Sequence, residues 1–345
     1  MSSDSPISTL SEQQILQRIF RFCPGQWVGD DAAVVSTRPD HQLVVTSDML
    51  VDGVHFSVGL AQPQMRTTSL TDVGWRSAAA NLSDLAAMGA TPLGITVSLG
   101  LPPTVPVGWV EELYEGMTEC LNRYETPILG GDLCRSPILT LAITALGEVL
   151  PERQILRSTA QVGDAIVVTG LHGLSRAGLE LLLHPEWGQD LSETERTELQ
   201  RAHCRPIPRL DVPSLLWQID PQVRVAGMDS SDGLADAVLQ MGRASDVGAK
   251  IWYDRLPIPP ALQKTTSLSE ADALDWVLYG GEDFELVLCL DRAIAEKLVQ
   301  QLAGTATVVG QVVADPFVCL ADANGQPLGP PLSLERGFQH FGPEL

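Results

Sequence analysis

Between residues 78 and 101 the hydrophobic period of the chain changes once, sharply. Ala, Leu and Met dominate 78–88, Gly89 follows, and then Leu93, Ile95, Val97, Leu99 and Leu101 alternate with Gly, Thr and Ser. Small apolar residues suit a packed helix, a glycine just beyond it suits a left-handed cap, and alternation at every second position marks a strand with one buried face. A helix turning straight into such a strand demands a sheet for both to pack on. With 345 residues, 44% of them hydrophobic and 19% charged, there is material for two cores, and disorder, collagen and coiled coil are excluded.

The same alternation of types runs through the rest. Thr9-Leu10-Ser11-Glu12 has capping-box spacing, and Ile15, Leu16, Ile19 and Phe20 share one face, which predicts a helix from near residue 10. Strands are expected at 32–35 and 43–46, a helix at 107–122, and strands at 127–129 and 138–148. Residues 151–163 read as a connector. The second half restarts with a strand at 165–169 and a helix after Gly173. A strand at 223–226 then runs through Asp229-Ser230-Ser231-Asp232-Gly233 into a helix over 234–244. Strands at 250–253, 285–290 and 307–313 and a helix at 293–302 complete the pattern. Both halves mix the two element types, so the expected class is α+β or mixed α/β. Two domains of similar size are expected, 1–150 and 151–345.

Charge narrows the partners. Lys and Arg number 22 against 43 Asp and Glu, a formal net charge of −21. Nucleic acid and anionic membrane need a basic footprint, and none is present. The six cysteines lie far apart without a Cys-x-x-Cys, which reads as reduced buried thiols. The opening residues lack a basic start and apolar run, and no stretch reaches membrane-spanning length, so the expected compartment is the cytoplasm.

The aspartates mark the chemistry by their positions. Gly29-Asp30-Asp31 precedes an expected strand, Thr46-Ser47-Asp48 ends one, and Asp84 lies within an Ala/Leu helix. Gly130-Gly131-Asp132 ends another strand, and Asp229 to Asp232 joins a strand to a helix. Any one alone has an ordinary explanation as a turn or cap residue. Asp84 among Ala80, Leu82, Leu85, Ala86 and Ala87 is harder to dismiss, because a buried carboxylate requires a partner, with Arg76 as one option. Together they read as ligands for Mg²⁺, which takes a few carboxylates and leaves room for substrate phosphates.

Lysine is scarce, with only Lys250, Lys264 and Lys297, and neither a P-loop nor a dinucleotide-binding glycine motif is present. A carboxylate about 4 Å from a phosphate oxygen costs roughly 4 kcal/mol at an effective dielectric of 20. An anionic substrate therefore has to be met by metal and arginine.

The segments Gly29-Asp30-Asp31-Ala32, Thr46-Ser47-Asp48, Val51-Asp52-Gly53-Val54-His55-Phe56, Asn81 to Ala90, Gly130-Gly131-Asp132, Ser231-Asp232-Gly233-Leu234 and Gly280-Gly281-Glu282-Asp283-Phe284-Glu285-Leu286 occur in this order. In that order they resemble the thiamine-monophosphate kinases of the aminoimidazole-ribonucleotide synthetase superfamily. The resemblance runs from about residue 12 to Phe341. It implies an N-terminal sheet domain (1–150) that binds ATP and Mg²⁺ and pairs in a homodimer, and a C-terminal α+β domain (151–345) completing the cleft. It also implies transfer of the γ-phosphoryl of ATP to thiamine monophosphate with several Mg²⁺.

Carried over by position, Asp30, Asp31, Thr46, Ser47, Asp48, Asp84, Asp132, Asp229 and Asp232 are the metal set. Tyr114, Gly131, Asp132, Arg157 and Ser231 fall at ATP-contacting positions, and His55, Glu282 and Phe338 at positions around the thiamine moiety. Asp48, Asp84, Asp132 and Arg157 are the expected catalytic group. Three departures stand out: Ser230 where an apolar residue is expected, Leu133 where Thr is usual, and a longer segment between His55 and Asp84.

Competing readings are selenophosphate synthetase, aminoimidazole-ribonucleotide synthetase, the hydrogenase-maturation dehydratase, and a non-catalytic Mg²⁺–nucleotide-binding protein. Cys23 has no lysine neighbour as the first would require, the intact Asn81–Ala90 segment disfavours the second, and the expected terminal cysteine of the third is absent.

Overall fold

Helix α2 (Leu70–Ala87) ends where the sequence places Gly89, whose φ is +70°, and the Ala90 N–H closes the turn on the Leu85 carbonyl at 2.8 Å. The structure, a computed structural model, describes residues 4–27 and 32–337. Its contacts divide the chain into two units, Met1–Leu85 with Ala90–Pro151, and Ala86–Gly89 with Glu152–Leu345.

The first unit is a four-stranded sheet covered by helices. Its strands are β1 (Gln42–Val51), β2 (Thr91–Leu101), β3 (Ile128–Arg135) and β4 (Thr140–Val149), in the order β1-β4-β2-β3. The β1/β4 and β4/β2 pairs are antiparallel and β2/β3 is parallel. Ile95, Val97, Leu141, Ile143 and Ala145 are fully buried beside Leu82 and Leu85 of α2. Helix α3 (Val107–Asn122) meets α2 backbone to backbone: a Cβ on Gly74 would lie 1.9 Å from the Leu113 carbonyl, and one on Gly116 1.7 Å from that of Thr71. The other face of β1 is open, with Leu43, Val45 and Met49 each more than half exposed.

Helix α1 (Glu12–Ile19) starts at a capping box two residues later than its sequence suggests. Ser11 and Gln14 satisfy each other's N–H groups, while Thr9 closes a short 3-10 turn. The expected strand at 32–35 does not form. Val34 is 84% exposed, and residues 32–37 belong to no strand. The short apolar run there has no ladder partner among the described residues.

The second unit holds a six-stranded sheet in the order β10-β7-β9-β5-β8-β6. The strands are β5 (Ala165–Thr169), β6 (Val225–Asp229), β7 (Gly248–Trp252), β8 (Leu286–Leu290), β9 (Ala306–Val313) and β10 (Val318–Ala321), antiparallel except for β10/β7. Every residue of β5, β6 and β8 is buried, so both faces are covered. Ile166 and Val168 face a cluster with α4 (Leu174–Leu183), α5 (Glu193–Cys204), α7 (Leu234–Ser245) and α9 (Glu270–Tyr279). Val167 faces one with α6 (Asp211–Ile219) and α10 (Arg292–Gln301). A short α8 (Pro260–Lys264) precedes α9.

Helices α5, α6, α8 and α9 and strand β10 lie outside the sequence reading, and α5 and α6 show a physical reason. Only Leu199 and His203 of α5 are buried, too thin a stripe to register as a period. Pro213 reads as a breaker, yet it stands in the first turn of α6, where a missing N–H costs nothing. Among the described residues no helix is long and apolar enough to cross a membrane.

Candidate functional site

In the first unit, strand alternation sorts the Thr46-Ser47-Asp48 cluster onto two faces. The Thr46 hydroxyl donates to Asp84 Oδ2 on α2, which fixes Thr46, Asp48 and Asp84 on the helix-covered side. Burial first, and then the negative charge of Asp84, push the Asp48 carboxyl up to about 6. Ser47 points the other way, its hydroxyl donating to the Ile143 carbonyl at 3.0 Å.

Asp48 pairs across the sheet with Ile143, Val97 and Gly131. A Cβ on Gly131 would stand 1.9 Å from the Val97 carbonyl, so only glycine fits there. Asp132 falls in the next row, with Ser98, Ala142 and Met49, and therefore on the opposite pleat. The structure brings Asp48 and Asp84 together and leaves Asp132 exposed on the other side. Among the described residues no three His, Cys, Asp or Glu side chains converge as a ready metal cage.

After β1 the chain folds back on itself. The buried Asp52 carboxylate accepts from Val58 N–H at 2.8 Å and Ala61 N–H at 2.6 Å. These bonds organise the long segment that the sequence flags as a departure. Within it the Val51 N–H donates to His55 Nδ1 at 3.1 Å, so the neutral ring carries its proton on Nε2. Tyr114 is 3% exposed with its ring 5.7 Å from Phe22, and burial pushes its hydroxyl up. In this structure it belongs to the core.

The second unit joins two turns. β6 ends at the buried Asp229, and Gly233, at φ +104°, leads into α7. The Glu282 N–H donates to the Ser231 carbonyl at 2.7 Å, and the Ser230 N–H donates to the Glu285 carbonyl at 2.8 Å. Ser230 Oγ accepts the Glu285 N–H at 3.2 Å, which explains a hydroxyl where an apolar side chain is expected. Glu282 and Phe284 hold φ of +67° and +52°, a strain that cross-bracing of this kind sustains. Asp232 follows Ser231 on the same turn, and Arg157 is exposed beside α7 with its guanidinium toward Gln240 at 3.4 Å.

Behind these turns lie acids already satisfied within the unit. Asp283 accepts from the Gly173 and Ser175 N–H groups at 2.6 and 2.8 Å, at the start of α4. Burial outweighs those bonds and pushes its carboxyl up to about 7. Glu285 is held by Arg209 Nη1 at 2.8 Å and the Thr169 hydroxyl at 2.5 Å, and burial raises it too. Arg209 also grips Asp211 through two nitrogens at 3.0 Å.

Residues 29–149 match the family model "AIR synthase related protein, N-terminal domain" and residues 161–320 the corresponding C-terminal domain. A thiamine-monophosphate kinase from Synechococcus elongatus is 52% identical over 342 residues, covering 98% of this chain and 99% of its own. The chain belongs to the thiamine-monophosphate kinase family. The family's member from Stenotrophomonas maltophilia superposes with TM-score 0.76 at 32% identity, over 91% of this chain and 96% of that one. AaThiL complexed with AMPPCP and TMP superposes with TM-score 0.73 at 27% identity, over 96% and 98%. The Escherichia coli hydrogenase maturation protein HypE reaches TM-score 0.73 at 19% identity, over 96% and 98%, which is a likeness of fold alone.

Membership in the kinase family accounts for both AIR-synthase-type units. Asp30, Asp31 and Phe338 lie outside the described residues. Residues the sequence reading left unassigned are Asp283, Glu285, Arg209, His203 and Thr169. The first two stand inside the Gly280–Leu286 segment, and their acidic character beside an apolar strand is the available signal. Arg209 and His203 carry none, because each is joined to the motif only by folding, across 76 residues for the Arg209–Glu285 bond.

Proposed function

We propose that this chain transfers the γ-phosphoryl group of ATP to thiamine monophosphate, giving thiamine diphosphate and ADP. The observation that carries this reading is the 52% identity to a thiamine-monophosphate kinase along essentially the whole of both chains. The AaThiL structure with AMPPCP, an ATP analogue that cannot be cleaved at its methylene bridge, and TMP supports the substrate pair.

The metal fits the donors. Asp48, Asp84 and Thr46 offer hard oxygens, and two close carboxylates of which one is pushed up to about 6 suit a cation that relieves them. We assign Mg²⁺ to Asp48 and Asp84 with Thr46, and carry Asp30, Asp31, Asp229 and Asp232 as further ligands on their family positions alone, while Ser47 and Asp132 stand on the opposite pleat from this pair. When bound, Mg²⁺ neutralises phosphate oxygens and lowers the repulsion between two polyanions. The chain's own residues orient the substrates: Gly131 lets backbone approach the sheet edge, Ser231 presents its turn, and Arg157 steadies the transferring phosphoryl group. His55 offers an Nε2–H, and Glu282 with Phe338 shapes the thiamine side.

The acceptor is a phosphate monoester whose second pKa is about 6, so its attacking oxygen is anionic near neutrality and no general base is required. Transfer is direct and in line. We assign the open apolar side of β1, with Leu43, Val45 and Met49, to pairing with a second copy, and place the reaction in the cytoplasm.

Incubation with ATP, Mg²⁺ and thiamine monophosphate should yield thiamine diphosphate, while selenide or an aminoimidazole-ribonucleotide precursor should yield nothing. Product only with one of the latter would replace this reading. With γ-labelled ATP and no acceptor, no label should remain on protein, and a stable phospho-protein would rule out direct transfer.

A further inference from the structure

Glu282 is held in a left-handed backbone conformation (φ +67°) with about a third of its side chain exposed, while its neighbours Asp283 and Glu285 are turned inward and satisfied. A surface carboxylate on a strained residue needs something to fix where it points. That support comes from α4 and α5. His203 of α5 is 4% exposed, its Nδ1 lies 3.0 Å from the Ser175 hydroxyl and 4.0 Å from Glu282 Oε2.

Ser175 is in the first turn of α4, and its own N–H donates to Asp283 Oδ1 at 2.8 Å. The chain Asp283–Ser175–His203–Glu282 thus returns on itself, enclosing the strained peptide between two side chains that touch one buried serine. We propose that His203 is a positioning residue that, through its bond to Ser175, fixes the Glu282 carboxylate for the cationic part of the acceptor substrate. This rests on the reading of Glu282 as an acceptor-side residue.

The geometry has a specific consequence. Nδ1 is the nitrogen engaged, and an Asn side chain places its amide where Nδ1 stands. His203→Ala should therefore raise the KM for thiamine monophosphate by about tenfold, with the KM for ATP unchanged within about twofold, and His203→Asn should recover most of the loss. Equal effects on both KM values and kcat, or no recovery with Asn, would reduce His203 to a packing residue and overturn the proposal.

Glu282→Gln serves as the control. If it leaves the thiamine monophosphate KM untouched, the reading of Glu282 fails and the positioning role falls with it. If it raises that KM while His203→Ala does not, only the positioning role fails. Should His203→Ala not fold, Ser175→Ala removes the same hydroxyl–imidazole contact and is read by the same split between the two KM values.

Discussion

Glu285 and Asp283 of the second unit and Asp48 of the first meet burial in opposite ways. In the second, Glu285 is answered by an arginine and a hydroxyl, and Asp283 by two backbone N–H groups. In the first, burial and the neighbouring Asp84 act on Asp48 in the same direction, both against its charge. A carboxylate with internal partners stiffens a turn, whereas one pressed against another carboxylate is built for a cation from outside. The difference separates scaffold acids from ligand acids within one family motif set, which sequence spacing alone does not do.

The sharpest way to break this comparison is to remove Arg209. Glu285 would then be buried with its charge uncompensated, a change that costs about 3–5 kcal/mol. Arg209→Ala should lower the urea midpoint accordingly, and an Arg209→Met/Glu285→Leu double variant should regain much of it. An Arg209→Ala protein as stable as the parent would show that the acids of this unit do not depend on internal partners.

A second test concerns His172, fully buried with neither ring nitrogen hydrogen-bonded, whose pKa burial lowers to about 4. Between about 4 and 6.5 the unfolded chain binds a proton that the folded chain does not, so stability falls as pH drops through that window. At the lower end the loss from this group is about 3 kcal/mol. Asp283 and Glu285, raised by burial, work the other way: the folded chain takes up their protons first, so acidification relieves them. His172→Phe removes the imidazole alone. The variant's stability relative to the parent should grow steadily below pH 6.5 and stay constant above it. A constant difference across pH 4–8 would mean the imidazole is not held neutral.

The sequence was most legible where period and punctuation agree. The α3 and β5 boundaries and the cap at Gly89 follow directly from apolar spacing and a glycine with positive φ. It was silent where a helix buries only two residues, as in α5, and misleading at 32–35, where a short apolar run has no partner strand among the described residues. At the site, Asp48, Asp84 and Asp132 read together in the sequence as metal ligands, whereas the pairing of Asp48 on β1 with Asp84 on α2 shows only in the fold. The pleat assigned to Asp132 is not legible, because a register step between Ile95 and Thr96 of β2 decides which side it takes.

That pleat makes the smallest of these effects the most informative. Asp84→Asn retains an oxygen to accept the Thr46 hydroxyl but loses the charge that opposes Asp48, so in the absence of Mg²⁺ it should fold with a melting temperature no lower than the parent's. Its turnover at saturating substrates should fall at least about a hundredfold, equivalent to roughly 2.7 kcal/mol of barrier. Mg²⁺ should raise the parent's melting temperature, since a ligand bound at about a hundred times its Kd adds about 2.7 kcal/mol, and should leave the variant's unmoved. Asp132→Asn divides the possibilities further. If it loses turnover but keeps the Mg²⁺-dependent melting shift, Asp132 serves the nucleotide from the opposite pleat while Asp48 and Asp84 hold the cation. If it loses both, the three act as one cluster. An Asp84→Asn protein with near-parental turnover would place the cation elsewhere and erase the contrast between the two units.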